Sequence, residues 1–135
     1  MNSGVYIAIF KLAEARDISV GRFGRFRFRR GFYFYAGSAQ RNLDARLERH
    51  GRKYKPKRWH IDYLSIHADM LGAIIIAGPR EAECKIAAEL AAMFELAAPG
   101  FGASDCRCGG HLFYTPRLHP ASVISSEVEK SGWQL

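Results

Sequence analysis

Hydrophobic and polar residues alternate through the first third of the chain. Residues 4–11, GVYIAIFK, are rich in β-branched and aromatic side chains, which predicts a strand. Residues 17–20, DISV, predict a second short strand ahead of Gly21. Phe26 and Phe28 then alternate with Arg25, Arg27 and Arg29, a period-two pattern with one wet, basic face. After Gly31, the aromatic run FYFY at 32–35 predicts a further strand closed by Gly37. Four such segments in succession predict an antiparallel meander.

Beyond residue 41 the period changes. Asn42 is placed to cap a helix in which Leu43, Arg46, Leu47 and His50 fall at helical spacing, and Gly51 fits its stop. GRKYKPKR at 51–58 is a basic loop containing Pro56, and WHIDYL at 59–64 fits a strand or a short helix. LGAIIIAG at 71–78 has the length of a buried strand, stopped by Gly78 and Pro79. Residues 81–96 predict a helix with Ala82, Ile86, Leu90, Met93 and Phe94 on one side. Residues 99–110 hold four glycines and read as a loop, followed by a last edge strand at 111–114. From Pro116 the periodicity fades. A domain over 1–115 and a loosely held tail over 116–135 are expected. The order predicts an α+β fold, a small, mostly antiparallel β-sheet with flanking helices.

At 135 residues the chain has the length of one domain and can bury a core without disulfide staples. No apolar run reaches the ~18 residues of a membrane helix. The N-terminus lacks a basic segment ahead of its apolar stretch. A cytoplasmic protein with no membrane partner is therefore expected. Its three cysteines, Cys84, Cys106 and Cys108, are expected to stay reduced.

Charge narrows the picture. Lys and Arg number 20 against 13 Asp and Glu, a net +7. Much of the excess lies between residues 16 and 58, where the only acids are Asp17, Asp44 and Glu48. Such a cluster is the footprint of a phosphate-backbone binder. A generically basic surface would give the same composition.

An ordered set of short motifs carries a resemblance. The chain begins with GVY (Gly4, Val5, Tyr6), continues with YAG (Tyr35, Ala36, Gly37) and SAQRNLDARLERH, and later opens a helix with EAEC. It resembles the GIY-YIG endonuclease superfamily over about residues 4–114. The nearest branch is the small Uri type, whose members occur alone or fused to endonuclease III. That branch carries motifs similar to FYFYAGSA, RLERH, WHIDYL and FGASDCRCGGHLFY. The resemblance implies a divalent-metal-dependent endonuclease acting on nucleic acid, DNA ahead of RNA, with a link to DNA repair. It places the two family tyrosines at Tyr6 and Tyr35, the helix arginine at Arg46, and the metal-binding glutamate at Glu83. Val5 and Ala36 depart from the motif at apolar strand positions, where the change affects packing.

The chemistry of these residue types fits. A single Mg²⁺ or Mn²⁺ takes one or two carboxylates and keeps several waters, so Glu83 could serve, with Glu81 nearby. Arg46 can clamp phosphate oxygens with a planar fork. Tyr6 as a general base would need its pKa lowered from ~10. Arg46, Arg49 and His50 stand at i, i+3 and i+4, so an anion is expected between them. Tyr35 and His50 would position the phosphate. His60 and Asp62 share a side only on a strand, where Asp62 would orient His60 as a proton carrier. Arg25, Arg27, Arg29, Lys53, Lys55, Lys57 and Arg58 would hold the nucleic-acid backbone.

Taken singly, each residue has a plainer reading. The tyrosines read as half-buried strand residues, Arg46 as one half of a surface pair, and Glu83 as a first-turn glutamate. The tight C-x-C of Cys106 and Cys108 argues against zinc. The glycine-rich loop is instead expected beside the site, with Asp105 and His111 near it and Cys84 in the core. The alternative function is a non-catalytic nucleic-acid-binding module on the same fold.

Overall fold

A computed structural model describes residues 2–102 and 109–118. In chain order the elements are β1 (Gly4–Leu12), β2 (Arg16–Val20), β3 (Gly24–Phe28), β4 (Gly31–Ala39), α1 (Leu43–Gly51), α2 (His60–Ser65), β5 (Asp69–Ile76), α3 (Ala82–Met93), β6 (Glu95–Leu96) and β7 (Leu112–Thr115). Five strands form an antiparallel sheet in the order β5-β1-β4-β7-β6, and the helices flank it. This is the α+β architecture expected from the sequence.

β1 and β4 are buried along almost their whole length and pair from Gly4 opposite Ala39 to Leu12 opposite Gly31. Successive side chains on a strand point to opposite faces, so these two strands feed two cores. Tyr6, Ala8, Phe10, Tyr33 and Tyr35 face α1, α2 and Phe101. Val5, Ile7, Phe34 and Ala36 face Ile86, Ala87 and Leu90 of α3. Burying each such large side chain contributes about 1.5–3 kcal/mol.

The meander is not formed. β2 and β3 pair only with each other, as a separate two-stranded ribbon. Ile18, Val20 and Phe28 seal this ribbon onto the first core, and its arginines stay outside. β4 can then return beside β1, where its two apolar faces are both covered.

Other local expectations change for physical reasons. Asn42 does not cap α1: its backbone is left-handed (φ 55°) and its side chain makes no capping bond. Asn2 does the capping instead. Its carbonyl accepts the Leu43 N–H at 3.1 Å and its Oδ1 accepts the Asp44 N–H at 2.8 Å. WHIDYL starts a helix, because the Asp62 carboxylate reaches back to accept the Trp59 N–H at 3.0 Å. β5 is an edge strand despite its apolar sequence; Leu71 is 52% and Ile75 46% exposed. The helix at 81–96 ends at Met93, and Glu95–Leu96 joins the sheet. β7 is not an edge, since β6 covers it. Cys84 is disulfide-bonded, against the expectation of reduced thiols. The tail over 119–135 lies outside the described residues, as do Asp105, Cys106 and Cys108.

Candidate functional site

A cleft of about 890 Å³ opens where β1 begins and β4 ends. The sheet supplies Tyr6, Tyr35 and Ser38, α1 supplies Arg46 and His50, α2 supplies His60, and the first turn of α3 supplies Glu83. β4 does not close at Gly37 but runs through it to Ala39. A Cβ at position 37 would lie 2.6 Å from the Tyr6 hydroxyl, so glycine there lets the Tyr6 ring lie against the strand.

Tyr6 and His50 form a buried pair, 2.7 Å from Oη to Nε2. Burial, and then the charge of Lys55, lowers the pKa of His50 to about 4, so the imidazole is neutral. In the tautomer with its proton on Nδ1, the imidazole accepts the phenol proton at Nε2. Burial pushes Tyr6 up to about 12, and Arg46 offsets only part of this. That is the opposite of the lowered pKa an ionised base would need. Burial raises Tyr35 as well.

Arg46 and Glu83 are linked through one residue. Arg46 Nη1 donates to the Ser38 carbonyl at 3.0 Å, and Ser38 Oγ donates to Glu83 Oε1 at 2.7 Å. The Arg46 guanidinium also lies 4.4 Å from the centre of the Trp59 ring. His111 Nδ1 lies 2.8 Å from Glu83 Oε2. Burial alone would raise the Glu83 carboxyl. The contacts with His111 and Ser38 outweigh it and hold the group below its ordinary range, as a carboxylate.

The expected three-cation face on α1 is not bare. Arg49 donates to Asp62 Oδ1 at 2.9 Å, and Asp62 Oδ2 accepts the N–H groups of Arg58 and Trp59. Lys55 Nζ donates to the carbonyls of Arg49 and His50 at the C-terminal end of α1, where the helix dipole favours a cation. His50 is uncharged, which leaves Arg46 as the cation of that trio lining the cleft. Asp62 does not orient His60, because on a helix the two diverge. His60 Nδ1 instead accepts the Gly102 N–H at 3.0 Å.

A family model described as Domain of unknown function DUF123 matches residues 5–133. The chain belongs to this family. No curated protein and no solved structure matches it.

Of the basic residues expected to hold a nucleic-acid backbone, only Arg58 lines the cleft of this DUF123 protein, beside Arg41 and Arg80. Arg27 pairs with Asp17, Arg29 with Glu95 and Lys53 with Asp69, while Lys57 stands over Tyr63. Arg49 and Lys55 are spent on the Asp62 cluster, and Arg25 stands on the ribbon. Ser38, Trp59 and Arg80 were not singled out by sequence. Ser38 directly follows the YAG motif and Trp59 opens WHIDYL, which were the available signals; Arg80 carries none.

A metal fit can be judged from the donors. Among the described residues no group of three or more His, Cys, Asp and Glu could hold an ion. A cation needing three protein ligands does not fit them. A hydrated Mg²⁺ or Mn²⁺, held through one or two carboxylates, fits Glu83 with Glu81 beside it in the cleft. No helix among the described residues is long and apolar enough to cross a membrane.

Two buried groups are expected to make this protein acid-sensitive. The folded pKa of His50, about 4, lies below its unfolded value of 6.5. Below pH 6.5 the unfolded chain binds a proton that the folded one refuses. Asp62 acts in the same sense at lower pH. Burial pushes it up, but Arg49 and two backbone N–H groups bring it below its ordinary value. Its contribution is present above the unfolded pKa and is lost as pH falls through the folded one. Urea titrations should show stability falling between pH 6.5 and 4 at about 1.4 kcal/mol per pH unit from His50. His50→Gln should flatten that slope; an unchanged slope would assign it elsewhere.

Proposed function

We propose that this protein is a divalent-metal-dependent endonuclease of the GIY-YIG type, hydrolysing phosphodiester bonds in DNA. One observation carries the reading: Tyr6, His50, Arg46 and Glu83, spread over 77 positions, converge on a single cleft that is also lined by Arg41, Arg58 and Arg80. A metal ion bound at Glu83 would supply Lewis-acid polarisation of the phosphate and neutralise developing charge. The remaining chemistry belongs to the chain. Arg46, braced by Ser38 and Trp59, presents its fork to the non-bridging oxygens. The Tyr6 oxygen accepts a hydrogen bond from the attacking water and directs its own proton to His50 Nε2. Tyr35 and His60 wall the phosphate, and His60 offers Nε2–H because Nδ1 already accepts from Gly102.

A second reading, a nucleic-acid-binding module without catalysis, is favoured by one observation. Both Glu83 oxygens are already engaged, by Ser38 and His111.

A cleavage assay separates the two. Labelled single-stranded, duplex, flapped and abasic DNA is incubated with Mg²⁺ or Mn²⁺, or with chelator, alongside Glu83→Gln protein. Metal-dependent cutting that Glu83→Gln abolishes supports the nuclease. Binding that survives chelator and Glu83→Gln, with no cutting of any substrate, supports the module. Either way, log affinity should fall with log salt by about 0.9 per phosphate contact on duplex DNA. A flat response would remove nucleic acid as the partner.

A further inference from the structure

The tip of the β2–β3 ribbon lies against the cleft, and the reaction outlined above makes no use of it. We propose that this tip is a subsite for one unpaired nucleotide, with its base stacked on Phe23 and its flanking phosphates on Arg22 and Arg25. The inference rests on the reading that nucleic acid occupies the cleft, and it names the substrate class: a strand with at least one unpaired base beside the reacting phosphate.

The tip is built to hold a ring still. Gly21 takes a left-handed backbone (φ 51°) and the Phe23 N–H closes the turn on the Val20 carbonyl at 2.9 Å. The Phe23 ring stacks on His60, centroids 4.4 Å apart and planes 17° apart, and His60 is itself a wall of the cleft. Phe101 meets Phe23 edge-on. Gly100 gives it room: a Cβ there would lie 3.3 Å from the ring. Phe23 nevertheless remains 37% exposed. An aromatic ring fixed in place and left open beside a cationic cleft is a stacking platform, since every base offers a π-face to it.

The charges around it complete the site. Arg22 and Arg25 flank Phe23, are exposed, and make no ion pair with the described residues, whereas Arg27 and Arg29 further along are paired. An anionic group with a flat aromatic attached satisfies both the ring and the arginines; a plain apolar partner satisfies only the ring. Bases within a duplex are already stacked on their neighbours and cannot present a free face without unpairing.

The test is a binding cycle in chelator, on a Glu83→Gln background so that no cutting intervenes. The probes are labelled DNA and RNA oligonucleotides, intact or with one abasic position moved stepwise along the strand. Phe23→Leu keeps the apolar contact with His60 and Phe101 but removes the aromatic face, and Phe23→Tyr restores it. Phe23→Leu should weaken intact strands about tenfold and Phe23→Tyr should not. At one abasic register the parent should lose the same factor, and Phe23→Leu should then lose nothing more. Arg22→Gln and Arg25→Gln should each reduce the single-strand salt slope by about 0.7. Coupling on either DNA or RNA supports the subsite and tells which sugar is accepted. The proposal is overturned if Phe23→Leu binds intact strands like its parent, or if its loss is the same at every abasic register. The two readings fail separately. Coupling without any metal-dependent cutting keeps the subsite and removes the nuclease. Cutting without coupling does the reverse.

Discussion

If the proposed nuclease reading holds, Arg46→Ala should slow single-turnover cleavage of a DNA strand by about 10²–10³-fold, the usual cost of removing one preorganised donor to a developing oxyanion. The expectation follows from how the side chain is held. Ser38 and Trp59 each fix part of the guanidinium before substrate arrives. Little reorganisation is then needed when charge builds on the phosphoryl oxygens. Arg46→Lys should recover only a small part of the loss, because a point charge cannot reproduce two parallel contacts. The measurement is made at saturating substrate and metal, so that weakened binding does not enter it. If Arg46→Ala cuts at the parental rate, Arg46 is a brace for Ser38 and the proposed charge stabilisation fails.

Asp62→Ala destabilises the protein by about 3–5 kcal/mol, the range for stripping one partner from a buried ion cluster. Asp62 is fully buried, and Arg49 and two backbone N–H groups depend on it, with Lys55 3.9 Å away. Removing the carboxylate leaves the guanidinium uncompensated and opens the start of α2. The melting temperature should fall by roughly 10 °C or more. Denaturant unfolding gives the number directly, and a loss below about 1 kcal/mol would mean that water reaches the cluster. The same substitution tests how α1 and α2 are coupled. Because Trp59 is held at its N–H by Asp62 and packs on Arg46, Asp62→Ala should, if the nuclease reading holds, also lower cleavage without replacing Tyr6, His50, Arg46 or Glu83.

Period and turn chemistry made most of the scaffold readable. β1, β4 and the first two turns of α1 follow from alternation giving way to helical spacing. What escaped was information about pairing partners. Nothing in DISV and GRFRF says that they bond to each other and leave β1 to β4. Nothing in LGAIIIAG says that it ends at a sheet edge, since an apolar run reads as buried wherever it sits. WHIDYL was ambiguous because one residue, Asp62, decides it by capping, and that choice sends Asp62 to Arg49 rather than to His60. The convergence of Tyr6, Arg46 and Glu83 was legible only through the ordered resemblance. The contacts that link them lie 44 and 45 positions apart, from Tyr6 to His50 and from Ser38 to Glu83, beyond the reach of any local pattern.

β1 has one partner nearby in sequence and one far away. β4 is complete at Ala39, but β5 starts only at Asp69 and α3 only at Ala82. A ribosome adding about 5–20 residues per second leaves the nascent β1–β4 pair waiting for seconds with both edges open, since β7 follows β5, and with the apolar face that α3 covers bare. Val5, Ile7, Phe34 and Ala36 form that face, and each is buried only once α3 has been made and has docked. On a polysome, neighbouring chains at the same stage carry the same open edges. The interval of greatest exposure to misassembly therefore falls during translation, before the cleft exists, and it is there that a chaperone would have most to shield.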